Sequence, residues 1–313
     1  MPVRVPALAR VPVWVWRALM AHLGPRELRR FNARPLESVE YSTDIDYVGD
    51  LIRSHRLDVI APRGVDGPLP VYVYFHGGGW TSGDKAPLTR YCATQAETGM
   101  VVVNVNYRMA PRHRMAHMVE DANAALEWIA REIRAFGGDP DRVVVGGDSA
   151  GGQLSALVAA TATRPELAEH YGIRPAPARI RGVVQHCGAL DFSVIFERGF
   201  ILSTNFVRML LPEGRRQRRD GLVAAARYLS PIEWVDSDYP PVLVTTSRPD
   251  PFYRASLNFA EALAEHQVPV EVHVDEVAQH TWQQDSHDPR SAPVYERLQS
   301  FVARVAGGHR ISV

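Results

Sequence analysis

The chain has 313 residues, of which 46% are hydrophobic and 22% charged, as is typical of a globular protein with a large core. Lys and Arg together number 35, as do Asp and Glu, so the formal net charge is zero and no overall field favours nucleic acid. The two cysteines, Cys92 and Cys187, lack the spacing of a disulfide framework or a zinc knuckle.

The N-terminal stretch, residues 1–36, has helical and partly apolar character, but Arg10 and Arg17 interrupt its apolar runs. These runs are too short for a spanning helix, and no small-residue cleavage site of a signal peptide follows them. An amphipathic surface helix is favoured, with Val13 and Trp16 on one face. We therefore expect a cytoplasmic protein without stable membrane insertion.

From residue 70 onward, strand patterns alternate with helical ones. Two earlier segments, 38–49 and 55–62, predict antiparallel strands that enter the sheet. Near-continuous β-branched runs, as expected of parallel strands covered on both faces, predict strands at 71–75, 101–107, 142–146, 180–187, 241–247 and 270–275. Helical spacing of apolar residues occurs at 85–98, 117–136, 150–163, 254–266 and 292–306. The alternation predicts a doubly wound α/β sheet.

Two segments do not follow this alternation. One is residues 1–36, and the other is 192–232, which is rich in large apolar side chains such as Phe192 and Phe206. An insertion at the carboxyl edge of a parallel sheet lies where ligands bind in such folds. The residues alone favour core helices and a cap equally. The basic cluster at 215–219 predicts a solvated surface, with an anion or membrane contact as the alternative.

The sequence VVVGGDSAGGQLSALVAA, residues 143–160, leads from a strand through a glycine-rich turn into a helix. Gly147 and Gly151 lie two residues on either side of Ser149, as in the G-x-S-x-G nucleophile elbow, whose strained turn excludes bulk there. A helix N-terminus behind Ser149 favours negative charge at the serine oxygen. A Walker phosphate loop needs a lysine that is absent here, and a dinucleotide fingerprint belongs on an early strand. Ser149 is the predicted nucleophile, with Asp148 beside it in the motif.

A second glycine-rich motif, HGGGW, follows an earlier strand at residues 76–80. Backbone amides in such a loop approach a ligand closely and stabilise developing negative charge without reorganisation. We expect His76 to order this loop without acting as the base, and Gly79 to complete the motif. A turn without chemistry is the alternative. The predicted oxyanion donors are the amides of Gly77, Gly78 and Ala150.

These two boxes resemble those of a known family, together with VNYRMAPRHRMAHMVED at 105–121, DPF at 250–252 and His280. The chain resembles the hormone-sensitive-lipase-type esterases of the α/β-hydrolase superfamily, the bacterial family IV carboxylesterases, over about residues 38–305. The resemblance implies one α/β-hydrolase domain over 1–313, with a mostly parallel sheet of about eight strands flanked by helices. It also implies hydrolysis of short to medium acyl esters under a helical cap. That cap is formed by about 1–36 and 192–232.

The resemblance places the acid in a D-P-L box after the seventh strand, which here is Asp250 in the sequence RPDPF. Asp275 and Glu276 follow the last strand and stay open as alternatives. The base belongs on the loop after the last strand, in the chain order Ser, Asp, His. His280 fits this place, and His287 is the fallback.

Three features depart from the family pattern. The base stands in HTW where H-G-F is usual, so Thr281 and Trp282 lie beside it. Ser247 replaces a glycine before the acid box, and Arg112 replaces the glutamate of A-P-E. None of these changes removes a catalytic group, but Thr281 adds bulk beside the base and is expected to alter specificity or rate.

The sequence therefore predicts a serine carboxylesterase that needs no cofactor and no metal. His113 and His117 lie four residues apart, but no glutamate of the H-E-x-x-H kind accompanies them. The expected partner is a small-molecule ester; nucleic acid is not expected, and a homodimer stays open. Two other functions stay open too, an amide or formamide hydrolase that uses the same triad and a non-catalytic ligand-binding protein on this scaffold.

Overall fold

One sheet of eight strands organises the part of the chain that the structure describes. The computed structural model describes residues 13–15, 17–19, 22, 35–65, 67–197, 200, 204–212 and 219–307. The strands are β1 (Val39–Asp46), β2 (Arg56–Pro62), β3 (Leu69–Phe75), β4 (Val101–Val105), β5 (Gly138–Asp148), β6 (Ile180–His186), β7 (Val242–Ser247) and β8 (Val270–Asp275). Their order is β1-β2-β4-β3-β5-β6-β7-β8, and each of the predicted strands is present.

The sheet is antiparallel at one end and parallel over the rest. β2 pairs antiparallel with β1 and β4, and the later pairings are parallel. Val73 and Val103 face one apolar core, whereas Val102 and Val144 face a second core on the other side. Burial on both faces explains why these segments are continuously apolar. Because parallel strands end at one edge, the loops after β3, β5, β6, β7 and β8 meet there.

Helices cover both faces of the sheet. They are α1 (Thr89–Ala96), α2 (Met115–Glu132), α3 (Ser149–Thr163), α4 (Pro165–Tyr171), α5 (Thr204–Leu210), α6 (Arg219–Ala225), α7 (Tyr253–Glu265) and α8 (Ser291–Ala306). Each predicted helical segment overlaps one of these helices, and the predicted fold of helices on a mostly parallel sheet is confirmed. The sequence pattern did not predict α4, because its first residue, Pro165, indicates only that α3 has ended.

The N-terminal segment is described only in part. Residues 13–15, 17–19 and 22 are helical; Val13 packs against the main core, and Trp14 is exposed. Trp16, which we expect on the apolar face, lies outside the described residues, as do most of 1–34 and most of the basic cluster. Within the described ranges, no helix combines the length and the apolar character needed to cross a membrane.

A buried histidine links three elements beneath the carboxyl edge. His186, on β6, lies with Nδ1 2.6 Å from Thr245 Oγ1 and with Nε2 3.0 Å from the Tyr91 hydroxyl. Its side chain is inaccessible to solvent. Burial lowers the pKa of His186 to about 3, because an apolar surrounding disfavours the charged imidazolium. This histidine is therefore neutral in the folded protein near neutral pH.

We expect the free energy of unfolding to fall as the pH drops from 6.5, the ordinary histidine pKa, toward about 3. The unfolded chain takes up a proton on His186 in this range and the folded chain does not, so acid favours unfolding by up to about 1.4 kcal/mol per pH unit. Burial also lowers the pKa of His76, which adds in the same direction. Urea unfolding at a series of pH values, on wild type and His186→Gln, measures the dependence.

Two histidine substitutions are compared by the slope of the unfolding free energy against pH. His186→Gln should flatten the pH dependence, whereas the same change at the exposed His266 serves as the matched control and should leave the slope unaltered. Equal slopes for wild type and His186→Gln would contradict the prediction.

Candidate active site

The turn from β5 into α3 holds Ser149 at the carboxyl edge of the sheet. Ser149 has φ +51°, a left-handed conformation that a residue with a side chain adopts only under constraint. A Cβ atom at Gly147 would overlap the Phe75 carbonyl oxygen, and one at Gly151 would overlap the carbonyl oxygens of Phe75 and His76. The two glycines thus let β3 pass against the turn, which is the geometry of a nucleophile elbow.

Buried polar contacts hold the loop after β3 against this turn. Asp148 Oδ1 accepts the Tyr74 hydroxyl at 2.7 Å and the Gly77 amide at 2.9 Å. Burial raises the pKa of Asp148, and the hydrogen bond from Tyr74 partly offsets that rise. His76 contacts the Gly77 carbonyl through Nδ1 at 2.8 Å and stacks on Tyr107 at 4.5 Å between ring centroids. These contacts favour the ordering role expected of His76.

The Gly77 amide has a hydrogen-bond partner within the protein. Its N–H donates to Asp148 Oδ1, so this hydrogen is committed within the protein instead of being directed at a substrate oxygen. The Ala150 amide lies in the first turn of α3, where an N–H has no partner within the helix. Gly78 and Gly79 have φ +120° and +61°, so the loop there adopts conformations that favour glycine. The assignment of Gly78 as an oxyanion donor stays a prediction.

Asp250 and His280 lie in direct contact, on the loops that follow β7 and β8. His280 Nδ1 is 2.6 Å from Asp250 Oδ2, and Asp250 Oδ1 accepts the Phe252 amide at 2.7 Å. The Asp250 side chain is 0% exposed, whereas that of His280 is 32% exposed. Because Nδ1 is committed to the carboxylate, Nε2 remains for proton exchange with a nucleophile or a substrate.

The two alternative acids are engaged elsewhere. Asp275 Oδ1 accepts two backbone amides of the loop that leads to His280, at 2.9 and 2.7 Å, and so stabilises that loop. Glu276 pairs with the exposed Arg248 at 2.6 Å. The geometry therefore favours Asp250, which is the acid in contact with His280.

Ser149 reaches the same edge as His280 from a different strand. Burial raises the pKa of Asp148, the residue before Ser149, and the charge of His280 lowers it in part. Among the hydrogen bonds of the described residues, none joins the Ser149 hydroxyl to His280, and such contacts are often long before substrate binds. His287, the fallback base, is exposed in the turn after this loop.

Residues of the predicted cap segment pack over the loops of the site. The Trp80 ring, at the end of the HGGGW motif, lies 6.3 Å from the Phe206 ring. On the other side, the Phe200 ring lies 5.5 Å from Phe252, whose ring is 5.9 Å from His280. The segment thus contacts both the glycine-rich loop and the loop that carries Asp250.

Cys187 is a neighbour of the acid–base pair that sequence reasoning missed. Three atoms lie within 4.8 Å of one another: the Cys187 Sγ, an Asp250 carboxylate oxygen and a His280 ring nitrogen. Among the described residues, this is the one cluster of three side chains of the types that ligate metals. Nitrogen and oxygen ligands of one tetrahedral zinc ion lie about 3.3 Å from each other. His280 Nδ1 and Asp250 Oδ2 are closer than that, at 2.6 Å, so their distance is that of a hydrogen bond. The sequence feature that could have indicated this contact is the position of Cys187 directly after β6. β6 lies between β5, which leads to Ser149, and β7, which leads to Asp250.

Comparison with known proteins identifies the family. A family model described as the alpha/beta hydrolase fold matches residues 72–284, which include every predicted site residue from His76 to His280. The chain belongs to the α/β-hydrolase fold family. The family model, the relatives and the solved structures together confirm the resemblance to hormone-sensitive-lipase-type esterases.

Curated relatives of this α/β hydrolase include mycobacterial enzymes. The chain is 32% identical over 214 residues to the "Probable carboxylic ester hydrolase LipM" of Mycobacterium tuberculosis, an alignment that covers 66% of this chain and 47% of that protein. It is 46% identical over 94 residues to "Carboxylesterase NlhH" of the same species, covering 29% of each chain. The chain thus spans about half the length of the first relative, or less for the second.

Solved structures match over nearly the whole chain. Esterase B of Lactobacillus rhamnosis superposes with a TM-score of 0.82 at 22% identity, covering 93% of this chain and 94% of that one. The Pyrobaculum calidifontis esterase superposes with a TM-score of 0.70 at 25% identity, covering 95% of this chain and 94% of that one. At this level of identity, the superpositions support the α/β-hydrolase fold.

Proposed function

We propose that this chain is a serine carboxylesterase that hydrolyses short to medium acyl esters through Ser149, His280 and Asp250. The observation that carries the proposal is the 2.6 Å contact between the buried Asp250 and the partly exposed His280, at the edge where a strained turn presents Ser149. Relatives named as a carboxylesterase and a probable carboxylic ester hydrolase support this reaction class.

The proposed reaction follows from the roles that these side chains can take. Ser149 Oγ attacks the ester carbonyl while His280 Nε2 accepts its proton, and Asp250 holds the imidazole in the tautomer with hydrogen on Nδ1. The imidazolium then protonates the leaving alcohol, which leaves an acyl group on Ser149. Water repeats the same steps on the acyl-enzyme and releases the carboxylic acid.

Backbone amides stabilise the tetrahedral oxyanion in this proposal. Ala150, in the first turn of α3, acts as a donor, and the helix N-terminus favours negative charge beside it. Gly78 keeps the role expected from the motif. Gly77 acts indirectly, because its bond to Asp148 holds the loop against the elbow.

A cap formed by about 1–36 and 192–232 completes the proposal. Phe206 beside Trp80 and Phe200 beside Phe252 support it, because both contacts lie over loops of the site. Ligands bind at this edge in open α/β sheets, so apolar residues here suit the acyl or alcohol part of an ester.

We expect kcat/KM on p-nitrophenyl esters to rise from acetate to butyrate or hexanoate and to fall well before palmitate. Each methylene buried in the pocket contributes about 0.8 kcal/mol, or about fourfold, until the pocket is full. Longer chains then leave apolar surface in water or displace the cap. The measurement is a chain-length series on the purified protein, with the matching anilides and formamides as a test of the amidase alternative.

Variants of the cap segment sharpen this series. Phe200→Ala should shift the optimum toward longer chains, because it removes a ring beside Phe252. Val223→Ala, at an exposed position on α6, is the control in the same segment and should leave the optimum in place. A rate that climbs steadily to palmitate would contradict the cap, and faster turnover of anilides or formamides would favour the alternative hydrolase.

A further inference from the structure

We propose that Cys187 is a positioning residue, whose thiol donates a hydrogen bond to Asp250 and so holds the acid in place for His280. The inference rests on the proposed function, because it assigns Asp250 and His280 to one reaction. It concerns a residue that the family motifs do not include.

Cys187 lies between the strand that leads to Asp250 and the loop that carries His280. It follows β6, and its amide donates to the Thr245 carbonyl of β7 at 2.8 Å, so its backbone is fixed to the strand that leads to Asp250. Its side chain packs in a small apolar cluster with Ala278 and Trp282, which flank His280 in the chain. One side chain thus contacts the loop of the base and lies beside the acid.

The Asp250 carboxylate can accept more hydrogen bonds than the two that Phe252 and His280 make with it. Oδ1 accepts the Phe252 amide and Oδ2 contacts His280, but a carboxylate has about four lone-pair sites. The Cys187 Sγ lies within 4.8 Å of the carboxylate and of the imidazole, in a place closed to solvent. Burial raises the pKa of Cys187 well above its usual value, as does the Asp250 charge, so the sulfur keeps its proton and is a donor.

The backbone of Cys187 adopts a strained conformation. Its φ of +53° lies in the left-handed region, where a residue with a side chain is strained. Such strain persists only where the surrounding structure imposes it, and it is concentrated at functional sites. Glycine would relieve the strain here but would remove the thiol, so it separates an effect on stability from an effect on the acid.

We expect Cys187→Ala to lower kcat by about 3- to 10-fold with KM within about twofold of wild type, because the Asp250 carboxylate loses one donor but keeps the Phe252 amide and His280. Cys187→Ser keeps a donor and should restore kcat to within about twofold. Cys187→Gly should be more stable to heat than Cys187→Ala, yet equally slow. Cys92→Ala is the matched control, because Cys92 is also buried but lies on α1, and it should leave kcat unchanged.

A second readout does not depend on turnover. In the proton NMR spectrum of the substrate-free protein, the low-field resonance of the His280 Nδ1 proton should weaken and exchange faster in Cys187→Ala than in Cys92→Ala or Cys187→Ser. An unchanged resonance, or a kcat of Cys187→Ala equal to that of wild type, would overturn the proposal. If the wild type turns over no ester while Cys187→Ala shows the expected spectral change, the esterase function is refuted and Cys187 stays the positioning residue of Asp250 and His280.

Discussion

Ser149→Ala is expected to lower kcat on a short p-nitrophenyl ester by at least about 10⁴-fold, because the acyl-enzyme cannot form without the hydroxyl. A fluorophosphonate probe should label wild type with one equivalent per chain, and mass spectrometry should place the label on Ser149. The alanine variant should take up no label. Its fold should persist, because alanine keeps the Cβ atom that serine already places in the left-handed turn.

A serine on the same helix provides the control. Ser155 is buried on α3, where its hydroxyl donates to the Gly152 carbonyl at 2.8 Å, and Ser155→Ala should retain labelling and turnover. Label on another residue, or a Ser149→Ala variant with near-normal turnover, would refute the nucleophile assignment. A wild type that takes up no label and turns over no ester would favour the ligand-binding alternative.

The sequence predicted the elements that local chemistry specifies. The β-branched runs predicted the parallel strands because burial on both faces demands apolar side chains at every position. The sequence also predicted the turn around Ser149, because Gly147 and Gly151 are required where β3 passes close to that turn. The contact of Asp250 with His280 also follows from chain order, because the loops after neighbouring parallel strands meet at one edge.

Features that depend on three-dimensional contacts were less accessible. Three consecutive glycines offer three similar amides, and only the folded chain shows that the Gly77 amide donates to Asp148. Cys187 looks like an ordinary buried thiol in a strand until the sheet order sets it beside Asp250. The HTW departure is a third case, because Thr281 occupies a left-handed conformation, φ +59°, that the usual glycine would adopt without strain.

The acid–base pair supplies the other large effect that we expect. His280 is the only candidate base in the described ranges that contacts a buried carboxylate on the loop after β7. His287, seven positions further along, is exposed and offers the same chemical change at a nearby place. The two histidines therefore make a matched pair of substitutions.

His280→Ala is expected to lower kcat by about 10³-fold or more, because no other group accepts the Ser149 proton, whereas His287→Ala should retain activity. Asp250→Asn should cost roughly 10²- to 10⁴-fold, since an amide group turned toward Nδ1 favours the tautomer whose Nε2 already carries hydrogen. Steady-state kinetics on one ester, with thermal unfolding to show that each variant folds, measures all three. Loss of activity in His287→Ala with normal turnover in His280→Ala would move the base to His287, and with it the acid, because Asp250 holds His280.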